Sequence, residues 1–364
     1  MKRNIVIVCM AVVSALFYGC GKQSQFVVDG SIEGTELEGK SVYLFRADDR
    51  QKPVDSAVVT GGKYTFKGDA AEAWQAVVAN EYLTVPFIAE PGTIVIKNDS
   101  IGGTPLNDKC YTFQKGLDMS DIVSQMEEYF PLYYNATNAA DRAAAEHVLD
   151  SLDEVMNSRT LDACWALYRE NGDNQLGVIA MQTIAETGEF TYHEFDSIVN
   201  AASPLVAGDK RVQAKLEQLR AIDATAAGKH YTDIEGVDGK LSDLIDGKLA
   251  LVDFYASWCG PCRNEIKDNL VPLWKKYQKK GLVIVGLNVW ERGDAAARKA
   301  AHEKVMADLG ITYPQLVDST RTATSTYGVS GIPQIMLIGP DGTILARDLR
   351  GAAIEEAIVN ALEK

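Results

Sequence analysis

The stretch Leu251-Val252-Asp253-Phe254-Tyr255-Ala256-Ser257-Trp258-Cys259-Gly260-Pro261-Cys262 decides the reading of this chain. Its first half, with Leu249 and Ala250 ahead of it, is an apolar run of buried-strand type, broken by one carboxylate, Asp253. Its second half brings two cysteines to the predicted start of a helix running from Pro261 to about Gln278. A helix N-terminus presents unpaired N–H groups and the positive end of the helix dipole. Cys259 sits there, so its thiolate is favoured over the thiol. Cys262 lies one turn inward, near enough to attack a disulfide formed by Cys259. Pro261 suits the first turn, where a missing N–H costs nothing. The pattern predicts dithiol–disulfide exchange, with Cys259 as nucleophile and Cys262 as resolving thiol.

A Cys-x-x-Cys pair is also half of a zinc site. Here no second pair follows at zinc spacing, and the four histidines (His147, His193, His230, His302) are scattered, so no metal is expected. No nucleotide or flavin fingerprint is present either. No cofactor is expected, and electrons must come from another protein. A peroxide-reducing protein on a similar scaffold presents one reactive Cys after a Thr, whereas Cys259 follows Trp258 and has a partner. From Lys229 onward the chain reads as α/β. Leu282–Val289 is a second buried strand, and Asp294–Leu309 is a helix with Asp294 at its cap and Gly310 past its end. Gln334–Gly339 and Thr343–Arg347 form a hairpin around Pro340-Asp341-Gly342, and Ala352–Leu362 is a closing helix.

The segment 251–262 closely resembles the thioredoxin active site, and the resemblance spans Lys229 to Lys364. It implies a thioredoxin fold. Asp253, six residues before Cys259, stands at the position of the family's buried carboxylate. In an apolar strand, desolvation raises its pKa, which suits it to take the proton from Cys262. Ile332-Pro333, after Tyr327-Gly328-Val329-Ser330-Gly331, matches the family's cis-proline, which faces the Cys pair and shields it from metals. The backbone before that proline is left to pair with an extended substrate. Trp258 is read as packing and as a lid over the thiols. Trp258-Cys259-Gly260-Pro261-Cys262-Arg263-Asn264-Glu265 is similar to the TlpA/ResA-like branch of exported, anchored reductases. That likeness implies that Glu265 tunes the site and contacts substrate; the plainer alternative is a surface Glu near the helix start. Gly260-Pro261 resembles reducing thioredoxins more than strong oxidants. The implied activity is a protein-disulfide reductase, with disulfide-bearing proteins as substrates and a separate thiol protein as electron donor. An isomerase or oxidase with the same residues stays open, as does a binding lipoprotein with a subsidiary redox module.

The N-terminus carries an address. Lys2 and Arg3 precede an apolar run from Ile5 to Phe17, too short to span a membrane. Phe17-Tyr18-Gly19-Cys20 resembles a bacterial lipobox, which implies cleavage after Gly19 and lipidation of Cys20. The expected location is the periplasm or cell envelope, anchored through lipid; an ordinary signal peptide with an incidental Cys20 is the alternative. Outside the cytoplasm thiols tend to oxidise. Cys110 and Cys164 therefore read either as one structural disulfide or as two separately buried thiols.

The 364 residues have room for two or three domains. The expectation is a multidomain chain. It has a signal peptide over 1–19, a β-rich sandwich or barrel over 20–100, an acidic helical segment and linker over 101–228, and an α/β thioredoxin fold over 229–364. Short β-prone runs from Phe26–Ile32 to Thr93–Lys97 are separated by Gly, Asp or Pro, with Gly61-Gly62 as a hairpin turn. This region resembles a β-domain found ahead of thioredoxin modules in bacterial lipoproteins, a family that implies organisation but no active site. Ala139–Glu170 has apolar residues at helical spacing, and Thr191-Tyr192-His193-Glu194 has the form of a capping box. The net charge is −14, and Asp118–Asp196 alone holds 16 acidic and 3 basic residues. Such a balance excludes a nucleic-acid partner, which needs a basic patch. The acidic stretch reads as a solvated helical face, or as a docking surface for a basic partner.

Overall fold

The computed structural model describes residues 24–364, except 35, 99, 238, 319, 320 and 364. The predicted signal segment and Cys20 lie outside the described residues. The chain divides into two compact units, one ending at Ile179 and one spanning Ala180–Lys364.

Among the described residues, the first unit opens with eight strands: β1 (Gln25–Ser31), β2 (Ser41–Arg46), β3 (Asp55–Val58), β4 (Lys63–Asp69), β5 (Trp74–Ala79), β6 (Thr84–Ala89), β7 (Gly92–Lys97) and β8 (Ser100–Gly102). They form two four-stranded sheets, ordered β4-β1-β7-β8 and β3-β2-β5-β6. Alternation along β1, β2, β4 and β7 turns one face inward. Phe26, Val28, Tyr64, Phe66, Ile94 and Ile96 from the first sheet share one core with Val42, Leu44, Ala76 and Val78 from the second, so the unit is a sandwich. Gly61 and Gly62 both adopt positive φ, 60° and 68°, in a two-residue turn closed by the Thr60–Lys63 bridge, but the turn passes the chain from one sheet to the other, so β3 and β4 do not form the expected hairpin. Helices α1 (Pro105–Gly116), α2 (Ser120–Tyr134) and α3 (Ala139–Asn171) follow, with α4 (Gln175–Thr187) running across the division between the units. The Asn138 side chain caps α3 by accepting from the Asp141 N–H. Arg159 forks onto both carboxylate oxygens of Asp121 at 2.8 and 2.9 Å, pairing α3 with α2.

The second unit contains α5 (Tyr192–Ala201), α6 (Pro204–Ala207), α7 (Lys210–Ala224), β9 (Glu235–Gly236), β10 (Gly239–Lys240), α8 (Leu241–Ile245) and β11 (Leu249–Tyr255). Then come α9 (Gly260–Glu265), α10 (Val271–Tyr277), β12 (Leu282–Asn288), α11 (Ala295–Leu309), β13 (Gln315–Val317), α12 (Ala323–Thr326), β14 (Gln334–Ile338), β15 (Ile344–Ala346) and α13 (Ala352–Leu362). The central sheet is ordered β13-β12-β11-β14-β15, with β11, β12 and β13 parallel and β14 and β15 antiparallel. Every residue of β11 and β12 is buried. Leu249, Leu251 and Tyr255 face one core with Ile266, Val305, Ile354 and Ile358. Ala250, Val252 and Phe254 face the other, with Leu241, Ile245 and Tyr327. Helices thus cover both faces, which is the thioredoxin-like α/β layering. The capping box at Thr191 and Glu194 and the Asp294 cap are both formed.

Two features depart from the sequence reading. The helix expected over Pro261–Gln278 is interrupted by a π turn, Ile266–Leu270, in which the Val271 N–H donates to Ile266 O. Pro272 is the cause: it has no N–H for a carbonyl four residues back, and its ring would clash there. The segment around 224–229, read as a linker, is fastened instead. Thr225 is fully buried, and Arg347 donates to its carbonyl at 2.9 Å. Gly228 N–H donates to Ile344 O, and Ile344 N–H to Lys229 O, both at 2.8 Å. The sheet edge at β15 is thereby covered by chain that precedes the predicted boundary.

Candidate active site

Strand β11 delivers the chain to the dithiol and α9 carries it away. Cys259 is the N-cap residue of α9, and the Cys262 N–H points at its Sγ at 3.2 Å. The two cysteines form a disulfide with their Cα atoms 5.3 Å apart. Cys259 keeps 5% of its surface exposed and Cys262 none. Cys259 is thus the more accessible of the two, with Cys262 shielded behind the first turn. The Ile332-Pro333 peptide bond is cis, and Ile332 O lies 3.8 Å from Cys259 Sγ. Trp258, 44% exposed, donates its indole N–H to Trp290 O at 3.0 Å, and the Arg292 guanidinium sits 4.4 Å from its ring centre.

Asp253 is fully buried, and neither carboxylate oxygen has a hydrogen-bond partner among the described residues. It pairs in register with Ile335, two residues past the cis-proline. Burial pushes its pKa up to about 8, with Arg350 opposing the rise and Glu265 adding to it. Burial also holds the phenols of Tyr255 and Tyr313 well above their ordinary range, with the Asp253 charge contributing. Glu265 is half-buried rather than freely solvated. Its Oε1 accepts from Asn269 Nδ2 at 2.7 Å and from the Gly351 N–H at 3.1 Å.

The sequence reading missed two residues of this site. Glu291, 7% exposed, accepts from the Ser257 N–H (2.6 Å) and Ser257 Oγ (2.8 Å), and from Asn288 Nδ2 (2.8 Å). It thereby holds the loop that carries Trp258 and Cys259. The signal available for it was position alone: a carboxylate just beyond the carboxyl end of a fully buried parallel strand, where α/β sheets place their functional groups. Arg350 donates to Leu349 O at 2.8 Å and to Pro333 O, and nothing in its sequence context marks it. Cys110 and Cys164, outside this unit, stand as thiols rather than as a disulfide; burial raises the Cys110 thiol above its usual range.

Comparison with known proteins agrees with this geometry. Residues 219–347 match the AhpC/TSA family, and residues 26–110 match a domain of unknown function, DUF4369. The thiol:disulfide interchange protein CycY of Rhizobium leguminosarum is 38% identical over 33% of this chain and 61% of its own length. HelX of Rhodobacter capsulatus, also a thiol:disulfide interchange protein, is 30% identical over 52% of this chain and 92% of its own. The thiol-disulfide oxidoreductase ResA of Geobacillus thermodenitrificans is 31% identical over 39% of this chain and 77% of its own. With a dithiol capping a helix, a cis-proline against it and relatives of this kind, the chain belongs to the thioredoxin-like thiol–disulfide oxidoreductases.

Proposed function

We propose that the chain is a disulfide reductase of the cell envelope, held at a membrane by lipid on Cys20 and supplied with electrons by a separate thiol protein. One observation carries the redox reading: Cys259 caps α9 with the Cys262 N–H aimed at its sulfur. Backbone donors and the helix dipole favour a thiolate at that position. In the reduced enzyme, the Cys259 thiolate attacks one sulfur of a substrate disulfide, and the other substrate sulfur leaves as a thiolate and takes a proton. Asp253 then accepts the Cys262 proton. The Cys262 thiolate attacks Cys259 Sγ, the second substrate thiolate departs, and the enzyme is left with the Cys259–Cys262 disulfide. A dithiol partner returns the two electrons by the same exchange. Ile332 O beside the nucleophile and the shelf of Trp258 offer an extended polypeptide a place to lie.

The direction of flow follows from Gly260-Pro261, which supports a reducing poise. Equilibration with dithiothreitol or glutathione buffers is expected to give a potential of about −270 mV, far from the about −120 mV of a strong oxidant. A value at the oxidising end overturns the reductase assignment in favour of disulfide formation.

The anchor rests on the n-region, the short apolar run and Gly19-Cys20. Among the described residues no helix is long and apolar enough to cross a membrane. Changing Cys20→Ser is expected to move the protein from the membrane to the soluble fraction, and mass spectrometry of the wild type to find diacylglyceryl on Cys20. An unmodified N-terminus downstream of Cys20 removes the anchor from this account.

A further inference from the structure

We infer that Arg350 is a positioning residue of the dithiol site, and that Arg350 and Gly351 together clasp the cis-proline segment to the helix of the thiols. The inference rests on the oxidoreductase reading and deepens it. Three consecutive residues make the fastening. Leu349 N–H donates to Ile335 O at 3.2 Å, which ties the segment to β14. The Arg350 guanidinium uses one terminal nitrogen for Leu349 O and the other for Pro333 O. Gly351 N–H donates to Glu265 Oε1, and Glu265 lies three residues beyond Cys262.

Each side of the disulfide is therefore held from the same short stretch. Pro333 O is one residue from Ile332 O, the carbonyl 3.8 Å from Cys259 Sγ. A planar guanidinium held at two acceptors fixes direction as well as distance, which a lysine ammonium on a flexible stem does not. Gly351 has φ 52° and ψ −128°, a backbone conformation that side chains disfavour. A Cβ there would meet nothing within 4 Å, so the strain of a substitution is conformational alone. Arg350 also acts electrically on the buried Asp253 carboxylate of β11. The groups that act with Asp253 are Arg350 from this segment, Glu265 from α9, Tyr255 from its own strand and Tyr313 ahead of β13. Arg350 is the one cation among them.

The clasp has a geometric duty and an electrostatic one, and two variants separate them. Arg350→Lys keeps the charge and loses the fork, while Arg350→Gln loses both. In the full chain, both are expected to lower kcat/KM for a disulfide-bearing peptide about tenfold, because displacement by a fraction of an ångström is costly at a reacting centre. Only Arg350→Gln is expected to move the pH midpoint of mixed-disulfide resolution, and to move it upward, since the cation that opposed protonation of Asp253 is gone. Gly351→Ala removes no side chain from the site but strains the clasp's backbone, and is expected to lower kcat/KM in the same sense. It keeps the clasp testable if Arg350→Gln does not fold. A merely structural Arg350 would give variants of reduced melting temperature whose folded fraction retains wild-type kcat/KM and pH midpoint. That result, or a Gly351→Ala chain with wild-type kcat/KM, overturns the inference. A wild-type chain that reduces no disulfide at all instead overturns the reading beneath it.

Discussion

Changing Cys262→Ser is expected to fill extracts with covalent complexes between this protein and its partners, stable until a strong reductant is added. Cys259 remains at the cap of α9 and attacks as before, but the buried sulfur that would expel the substrate is gone. Cys259→Ser is expected to trap almost nothing and to abolish turnover, because Cys262 has no exposed surface from which to reach a protein disulfide. Iodoacetamide is expected to label the reduced wild type first at Cys259. Faster labelling of Cys262, or trapping by Cys259→Ser and not by Cys262→Ser, would exchange the two roles.

Asp253→Asn is expected to change two measurements in opposite senses. Resolution of the mixed disulfide slows near neutral pH, by about a hundredfold if Asp253 supplies ordinary general-base assistance, while initial attack by Cys259 changes little. Equal slowing of both phases in stopped-flow traces would reduce Asp253 to a fold-supporting residue. Stability, measured with the disulfide intact, rises. An unfolded Asp ionises near 3.8, whereas Asp253 in the fold is raised to about 8. Between those values the folded state keeps a proton that the unfolded state has released. Its stabilisation is fully present below the unfolded pKa and is lost as pH climbs to the folded one, at about 1.4 kcal/mol per pH unit. The amide that replaces the carboxyl in Asp253→Asn does not titrate. The gap in urea-derived stability between variant and wild type is expected to open from near pH 4 to about 8, reaching on the order of 4 kcal/mol by pH 7. Parallel stability curves would mean that Asp253 is ionised or solvated in the fold.

Local chemistry explains what could be read from the chain and what could not. The apolar runs at 249–255 and 282–288 sit at the centre of a mixed sheet covered by helices on both faces, where burial on both sides demands continuous hydrophobicity, so they declare themselves. The tight turn at Gly61-Gly62 and the caps at Thr191 and Asp294 are equally local, since each depends on residues within one turn of one another. Glu291 and Arg350 are different. Glu291 meets Ser257 across 34 positions and Arg350 meets Pro333 across 17, and neither lies in a periodic pattern. Their roles exist only once β11, β12 and β14 are side by side. Glu265 shows the intermediate case. Its helix position places it near Cys262, but whether it faces solvent or a backbone donor is decided by Gly351, 86 residues away. The π turn was legible in principle, because Pro272 stands inside an otherwise helical run.

The fastening of Thr225 by Arg347 also orders events in time. These partners are 122 positions apart, and Gln218 donates to Gly328 O across 110 positions. Contacts of such separation form late, because the intervening chain must first be closed. On a polypeptide made from its N-terminus, α7 and both active-site cysteines emerge before the strand that completes their sheet edge. The nascent redox unit thus carries a reactive cysteine pair before its sheet is complete. Closure at Arg347, with the Gly228 and Lys229 pairings to Ile344, is the late step that seals the sheet edge next to the strand of the cis-proline.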